Sequence, residues 1–80
     1  MKIGVKILPK TEVLDTQGRA VEGTLKEHQM AVGQCRVGKY VQLTLNEKDE
    51  KQALAQAKKI AEFVLYNPLI ETFELEVVER

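Results

Sequence analysis

A cysteine nucleophile of the glutaminase type needs a histidine base close by and usually a strained turn that exposes the sulfur. The chain has one cysteine, Cys35, and one histidine, His28. His28 falls late in a helical pattern with Val21 and Leu25, and no G-x-C-x-G elbow surrounds Cys35. The plainer reading of Cys35 is a small apolar residue at a strand position. His28 reads as a rim or core residue of its helix, and with no second histidine a zinc site is not expected. Gly18 and Gly23 form neither a P-loop nor a dinucleotide fingerprint, so the chain is not expected to bind ATP by itself. Glu71, Glu74, Glu76 and Glu79 read mainly as a solvated strand face; carboxylates so placed hold Mg²⁺ only where substrate phosphates share it. What remains is a set of cations, Lys10, Arg19, Arg36 and Lys39, which read as solvated side chains or as an anion or acidic-partner site. Tyr40 follows them, and tyrosine and arginine are enriched at protein interfaces.

The elements that must position these residues alternate between two periods. Lys2 to Leu8 places Ile3, Val5 and Ile7 on one face, as in a half-buried strand, and Pro9 ends it. Asp15 is the N-cap candidate for a first helix carrying Ala20, Val21 and Leu25, which fades near Met30 to Gly33. Gly18 and Gly23 weaken that helix, so a close approach of another segment is expected at both. Cys35 to Leu45 is strand-like, yet Lys39 has core parity, and a lysine is not buried unpaired. Either the strand bends or bulges at Gly38, or Gly38-Lys39 is the loop of a hairpin. Asn46 is the cap candidate for a second helix whose stripe runs through Ala53, Leu54, Ala57, Ile60, Ala61, Val64 and Leu65. Asn67 can take the left-handed terminal conformation before Pro68, and Phe73, Leu75 and Val77 mark a last strand. The order predicts an α+β, two-layer sandwich, β-α-β-α-β with a long bent middle strand, or β-α-β-β-α-β if the hairpin forms. The sheet is antiparallel, with two helices on one face.

Eighty residues make one domain, 1–80, with a marginal core and, with a lone cysteine, no disulfide to staple it. Small scaffolds of this kind gain stability by oligomerising, and a homodimer or dimer of dimers is expected, joined at sheet edges or along the long strand. Twelve cationic and twelve acidic side chains cancel, which disfavours nucleic acid as a partner. No apolar run is long enough to span a bilayer, and the cysteine usage fits a cytoplasmic setting.

Three segments, Leu14-Asp15-x-Gln17-Gly18-x-Ala20-Val21, Arg36-Val37-Gly38-Lys39-Tyr40 and Asn67-Pro68-x-Ile70-Glu71, occur in this order. The set resembles the small PurS-type subunit of phosphoribosylformylglycinamidine synthase over nearly the whole chain. The resemblance implies a non-catalytic part of an ATP- and glutamine-dependent C–N ligase of purine biosynthesis. Its partners would be a glutaminase subunit and a large synthetase subunit, which the small subunit holds together while assisting ammonia transfer. ATP, Mg²⁺ and glutamine would be used by the complex, with no cofactor bound by this chain alone. Gln17, Gly18, Arg19, Arg36, Gly38, Lys39 and Tyr40 are then the candidate partner-interface residues. Gln34-Cys35 stands where that family often has a charged residue. The competing class is a small-ligand-binding regulatory α+β module; it lacks the usual support, because Pro9 to Val13 has no glycine-rich turn.

Overall fold

The computed structural model describes all residues, 1–80. The elements are β1 (Lys2–Pro9), α1 (Thr16–Glu27), β2 (Lys39–Thr44), α2 (Glu50–Ile60) and β3 (Glu71–Glu79), with a π-helical turn, Ala61–Leu65, extending α2. The sheet is antiparallel in the order β2-β1-β3, so the first strand is the central one. Its apolar residues Ile3, Val5 and Ile7 are the largest fully buried side chains. Ala53, Ala57 and Ala61 press against them, because alanine lets a helix sit close to a sheet.

The β-α-β-α-β order holds, and the hairpin alternative does not. Gly38-Lys39 is no turn; ladder pairing starts at Lys39 opposite Ile7 and runs to Thr44 opposite Lys2. The middle strand is therefore shorter than residues 35–45. Cys35 to Gly38 makes its polar contacts with the start of α1 and the end of β1 instead of a neighbouring strand.

Helix ends also moved. Asp49 rather than Asn46 caps α2, accepting the Gln52 N–H at 3.2 Å, because the Glu47 carboxylate holds residues 47–49 in a turn. Helix α1 stops at Glu27, before Met30. Gln29 there adopts φ 61°, Met30 N–H donates to the Leu25 carbonyl and Gln29 N–H to that of Lys26. This is a Schellman ending with glutamine in the left-handed position where glycine is usual. Asn67 is not left-handed, since Gln29 is the only residue with positive φ.

Helix α2 lies over β1 and β3. No side chain of α1 belongs to the core, and Gly18 is its only buried residue. The second layer is thus built mainly by α2, while α1 and the returning segment 28–38 form an arm. A compact chain of this length has a radius of gyration of about 12 Å. The observed value is 15.7 Å, with extents of 48 × 26 × 14 Å.

Candidate functional site: the base of the arm

Asp15 is the central group. As N-cap of α1, it accepts the Gly18 N–H on Oδ1 at 2.8 Å, and its Oδ2 accepts the Val37 N–H at 2.9 Å. The two N–H bonds, Gly18 first and Val37 second, with the Arg36 charge behind them, hold its carboxyl below the usual carboxylate range. One side chain therefore ties the first predicted segment to the second. Gly18 is needed for the reason the sequence suggested: a Cβ there would run into the Cys35 carbonyl and lie 2.6 Å from Asp15 Oδ2. Gly23 has no such reason, since a Cβ would meet nothing within 4 Å.

Arg36 does not stand beside Tyr40 on a strand face. Its guanidinium donates to the Pro9 carbonyl at the end of β1. Gly38 has no positive φ; a Cβ there would strike the Ile7 carbonyl and lie 2.9 Å from Leu8 Cδ2. Its glycine serves close backbone passage, not a bend. Lys39 and Tyr40 then alternate to opposite sides of β2. Lys39 Nζ reaches the Leu65 carbonyl at 3.5 Å and Glu71 at 3.9 Å, joining the second segment to the third. Within that third segment Glu71 accepts the Asn67 N–H at 2.7 Å, Asn67 Oδ1 accepts the Leu69 N–H at 3.0 Å, and the Asn67 carbonyl accepts from Ile70 and Glu71.

Of the four cations, Lys10 and Arg36 share an open recess with Thr11, Glu12 and Thr72. Arg19 lines the adjoining one with Asp15, Glu22 and Cys35. Lys39 belongs to neither. Gln17 and Arg19 are exposed on the first turns of α1. Cys35 is half-buried beside that helix, while His28 is exposed as the C-cap of α1.

One group went unremarked in the sequence. Tyr40 lies across Gly4 on the uncovered sheet face and donates its hydroxyl to Glu76 on β3 at 2.8 Å, while Lys6 meets Glu76 at 3.1 Å. Tyr40 first and Lys6 second lower the Glu76 carboxyl, and Glu76 in turn raises Lys6. A bulge near Val78 brings Glu79 onto this face opposite Lys2, at 3.2 Å. Glu71, Glu76 and Glu79 are therefore each engaged, not a bare solvated row; only the glycine in β1 hinted at the tyrosine strap.

Two joints, Asp15 to Val37 and Lys39 to Glu71, thus link the three segments, and they lie on residues that carried the resemblance. A family model described as PurS, phosphoribosylformylglycinamidine (FGAM) synthase, matches residues 2–79. The chain belongs to the PurS family. The phosphoribosylformylglycinamidine synthase subunit PurS of Bacillus subtilis is 38% identical over 81 residues, covering 98% of this chain and 93% of that protein. The B. subtilis PurS crystal structure superposes with a TM-score of 0.81 at 37% identity, over 98% of each chain. A chain of PurLQS from Thermotoga maritima gives a TM-score of 0.86 at 28% identity, over 94% of this chain and 93% of that one. As a PurS chain the molecule is a subunit of phosphoribosylformylglycinamidine synthase, in purine biosynthesis. In these segments the side chains hold backbone together: Asp15, Arg36 and Asn67 bond to main-chain atoms, and Gly18 and Gly38 let main chain pass close by.

No three His, Cys, Asp or Glu side chains converge as metal ligands would, and no helix is long and apolar enough to cross a membrane.

Proposed function

We propose that this chain is the non-catalytic bridge of its synthase: it holds a glutaminase subunit against a large synthetase subunit and assists ammonia transfer between them. ATP, Mg²⁺ and glutamine are used by those partners, and the assembly works in the cytoplasm. The chain itself acts as a homodimer or dimer of dimers. The observation that carries this reading is the likeness, over 94% of the chain, to a component of PurLQS from T. maritima. The chemistry of the motifs supports it, since their polar groups are occupied with backbone and offer no paired nucleophile and base.

Contact with the partners is assigned to Gln17, Gly18 and Arg19 at the base of α1, to Arg36 and Gly38 on the returning segment, and to Lys39 and Tyr40 at the start of β2. Large exposed apolar residues flank this region at Leu14 (61% exposed) and, beyond Lys39, at Phe63 (86%) and Leu69 (81%). The test is reconstitution from separately purified subunits with glutamine and Mg-ADP present, followed by turnover once ATP and formylglycinamide ribonucleotide are added. Glutamine-dependent formation of the amidine should require this chain, while ammonia-dependent formation should need it less. Equal glutamine-dependent rates with and without the chain would reject the bridging role.

A further inference from the structure

Lys10 and Arg36 meet past the end of β1, in the open recess whose other walls are Thr11, Glu12 and Thr72. Both cations are half-buried there, and neither has a counter-ion. The ion pairs of the molecule join Lys2 to Glu79, Lys6 to Glu76, Lys39 to Glu71 and Arg80 to Glu50. A cation drawn partly out of water carries a desolvation cost that only an anion offsets. Glu12, the one acid of the recess, pairs with neither; the Thr11 hydroxyl donates to it at 3.3 Å. Asp15 stands behind Arg36, but its two oxygens already accept the Gly18 and Val37 N–H groups at the positive end of α1.

The recess is held in shape before anything enters it. The Lys10 N–H donates to the Ile70 carbonyl at 2.8 Å, and the Lys10 carbonyl accepts the Val13 N–H at 3.0 Å. The Arg36 guanidinium donates to the Pro9 carbonyl, and no other acceptor of the chain takes its remaining donors. A fork anchored by one arm presents the rest in a set direction, which suits the two oxygens of a carboxylate. All five lining residues are polar, so the recess has no apolar wall for the body of a small molecule. Two cations against one carboxylate leave a single positive charge, which balances one acidic side chain. A phosphate group, at about −1.5 to −2, overfills it and meets Glu12 as well.

We infer that this recess seats an aspartate or glutamate side chain of another synthase subunit, between Lys10 and Arg36. The contact rests on the bridging role proposed above and adds Lys10 to its residues. A free small carboxylate has little else to hold it in so open a place, whereas a side chain delivered by a docked subunit arrives at high effective concentration. Leu14, 61% exposed in the adjoining recess, supplies apolar area beside the charge.

The test uses the reconstituted synthase, with the half-saturating concentration of this chain in glutamine-dependent turnover as readout. Lys10→Glu should raise it by about tenfold or more, because like charges then face each other, and added salt should narrow the gap. Glu12→Gln should lower it, since the competing carboxylate is gone. Lys51→Glu, the same reversal on the first turn of α2 at the other end of the sheet, should leave it unchanged. Thermal melts of the Lys10 and Glu12 variants should match the parent, as neither side chain holds backbone. A carbodiimide, which joins an amine directly to a carboxylate with loss of water, should link Lys10 to an aspartate or glutamate peptide of another subunit. The contact is overturned if Lys10→Glu assembles like the parent, or if Glu12→Gln weakens assembly as Lys10→Glu does. It is also overturned if Lys10 links only to Glu12 or to a second copy of this chain. Submillimolar inorganic phosphate shifting the Lys10 and Arg36 resonances of the isolated chain would make the recess a phosphate seat instead. Failure of the bridging role reads differently: the parent chain itself is then dispensable for turnover.

Discussion

Asp15 does with one carboxylate what two separate caps would otherwise do, and it works only while ionised. Its folded-state pKa is depressed, so the unfolded chain binds more protons near pH 4, where an ordinary aspartate titrates. The contribution is present above that ordinary value and lost as pH falls through the lower folded one. Acid unfolding followed by circular dichroism should therefore show Asp15→Asn less stable than the parent at pH 7, with the gap closing toward pH 2. Asp49→Ala, which removes a cap contact to a single N–H, should lower the thermal midpoint less than Asp15→Ala. The glycines give an opposed pair. Gly18→Ala must push into the Cys35 carbonyl and should cost about 1–3 kcal/mol. Gly23→Ala enters open space in a helix and should gain about 1 kcal/mol in urea unfolding of the free chain. The sequence marks both glycines as costly to the helix; it does not show which has a neighbour, because Cys35 is distant along the chain. Lys39 is similar: its parity conflict was legible, but not that it would rest on the Leu65 carbonyl and Glu71. Such exposed contacts are worth little, about 0–1 kcal/mol. Lys39→Glu should barely move the thermal midpoint yet weaken assembly with the other subunits, read as a raised half-saturating concentration in reconstituted turnover.

Elements whose partners lie within reach of a simple period were readable, and those defined by a distant side chain were not. The stripe Ala53, Ala57 and Ala61 declared α2, and Ile3, Val5 and Ile7 declared β1; both are fully buried. The stripe failed at Val64, 63% exposed, because the π-helical turn adds a residue per turn and rotates it outward. β2 starts later than the alternation predicts, since Cys35 to Val37 alternates like a strand but Val37 donates its N–H to Asp15 and Arg36 its guanidinium to the Pro9 carbonyl. The end of α1 was misplaced for lack of the usual glycine. Gln29 holds the left-handed position at a cost of roughly 1 kcal/mol, so Gln29→Gly should stabilise the chain by about 0.5–1 kcal/mol. Thermal melts of Gln29→Gly and Gln29→Ala should differ, with glycine the higher.

At the scale of the molecule, the β-α-β-α-β order and its antiparallel sheet followed from the alternation of periods, whereas the arm did not, since no pattern in α1 says how far it stands from the sheet. A chain that leaves so much apolar surface uncovered gains stability from association, and the thermal midpoint should rise with protein concentration by mass action. A midpoint constant over a hundredfold dilution would contradict self-association. Highly purified chain should neither hydrolyse glutamine nor turn over ATP, and Cys35→Ser should leave turnover of the assembled synthase nearly intact. The strand order has one more outcome, which concerns the making of the protein. The central strand is the first of the three to be synthesised, and one of its two neighbours, Glu71–Glu79, is the last of them. Most of the buried sheet face therefore waits for contacts that span nearly the whole chain, a topology that folds slowly. Until β3 arrives, Ile3, Val5 and Ile7 sit on a strand with an open side and no complete roof, the state most exposed to pairing with another nascent chain. Truncation before Glu71 should accordingly yield aggregate rather than a smaller folded domain.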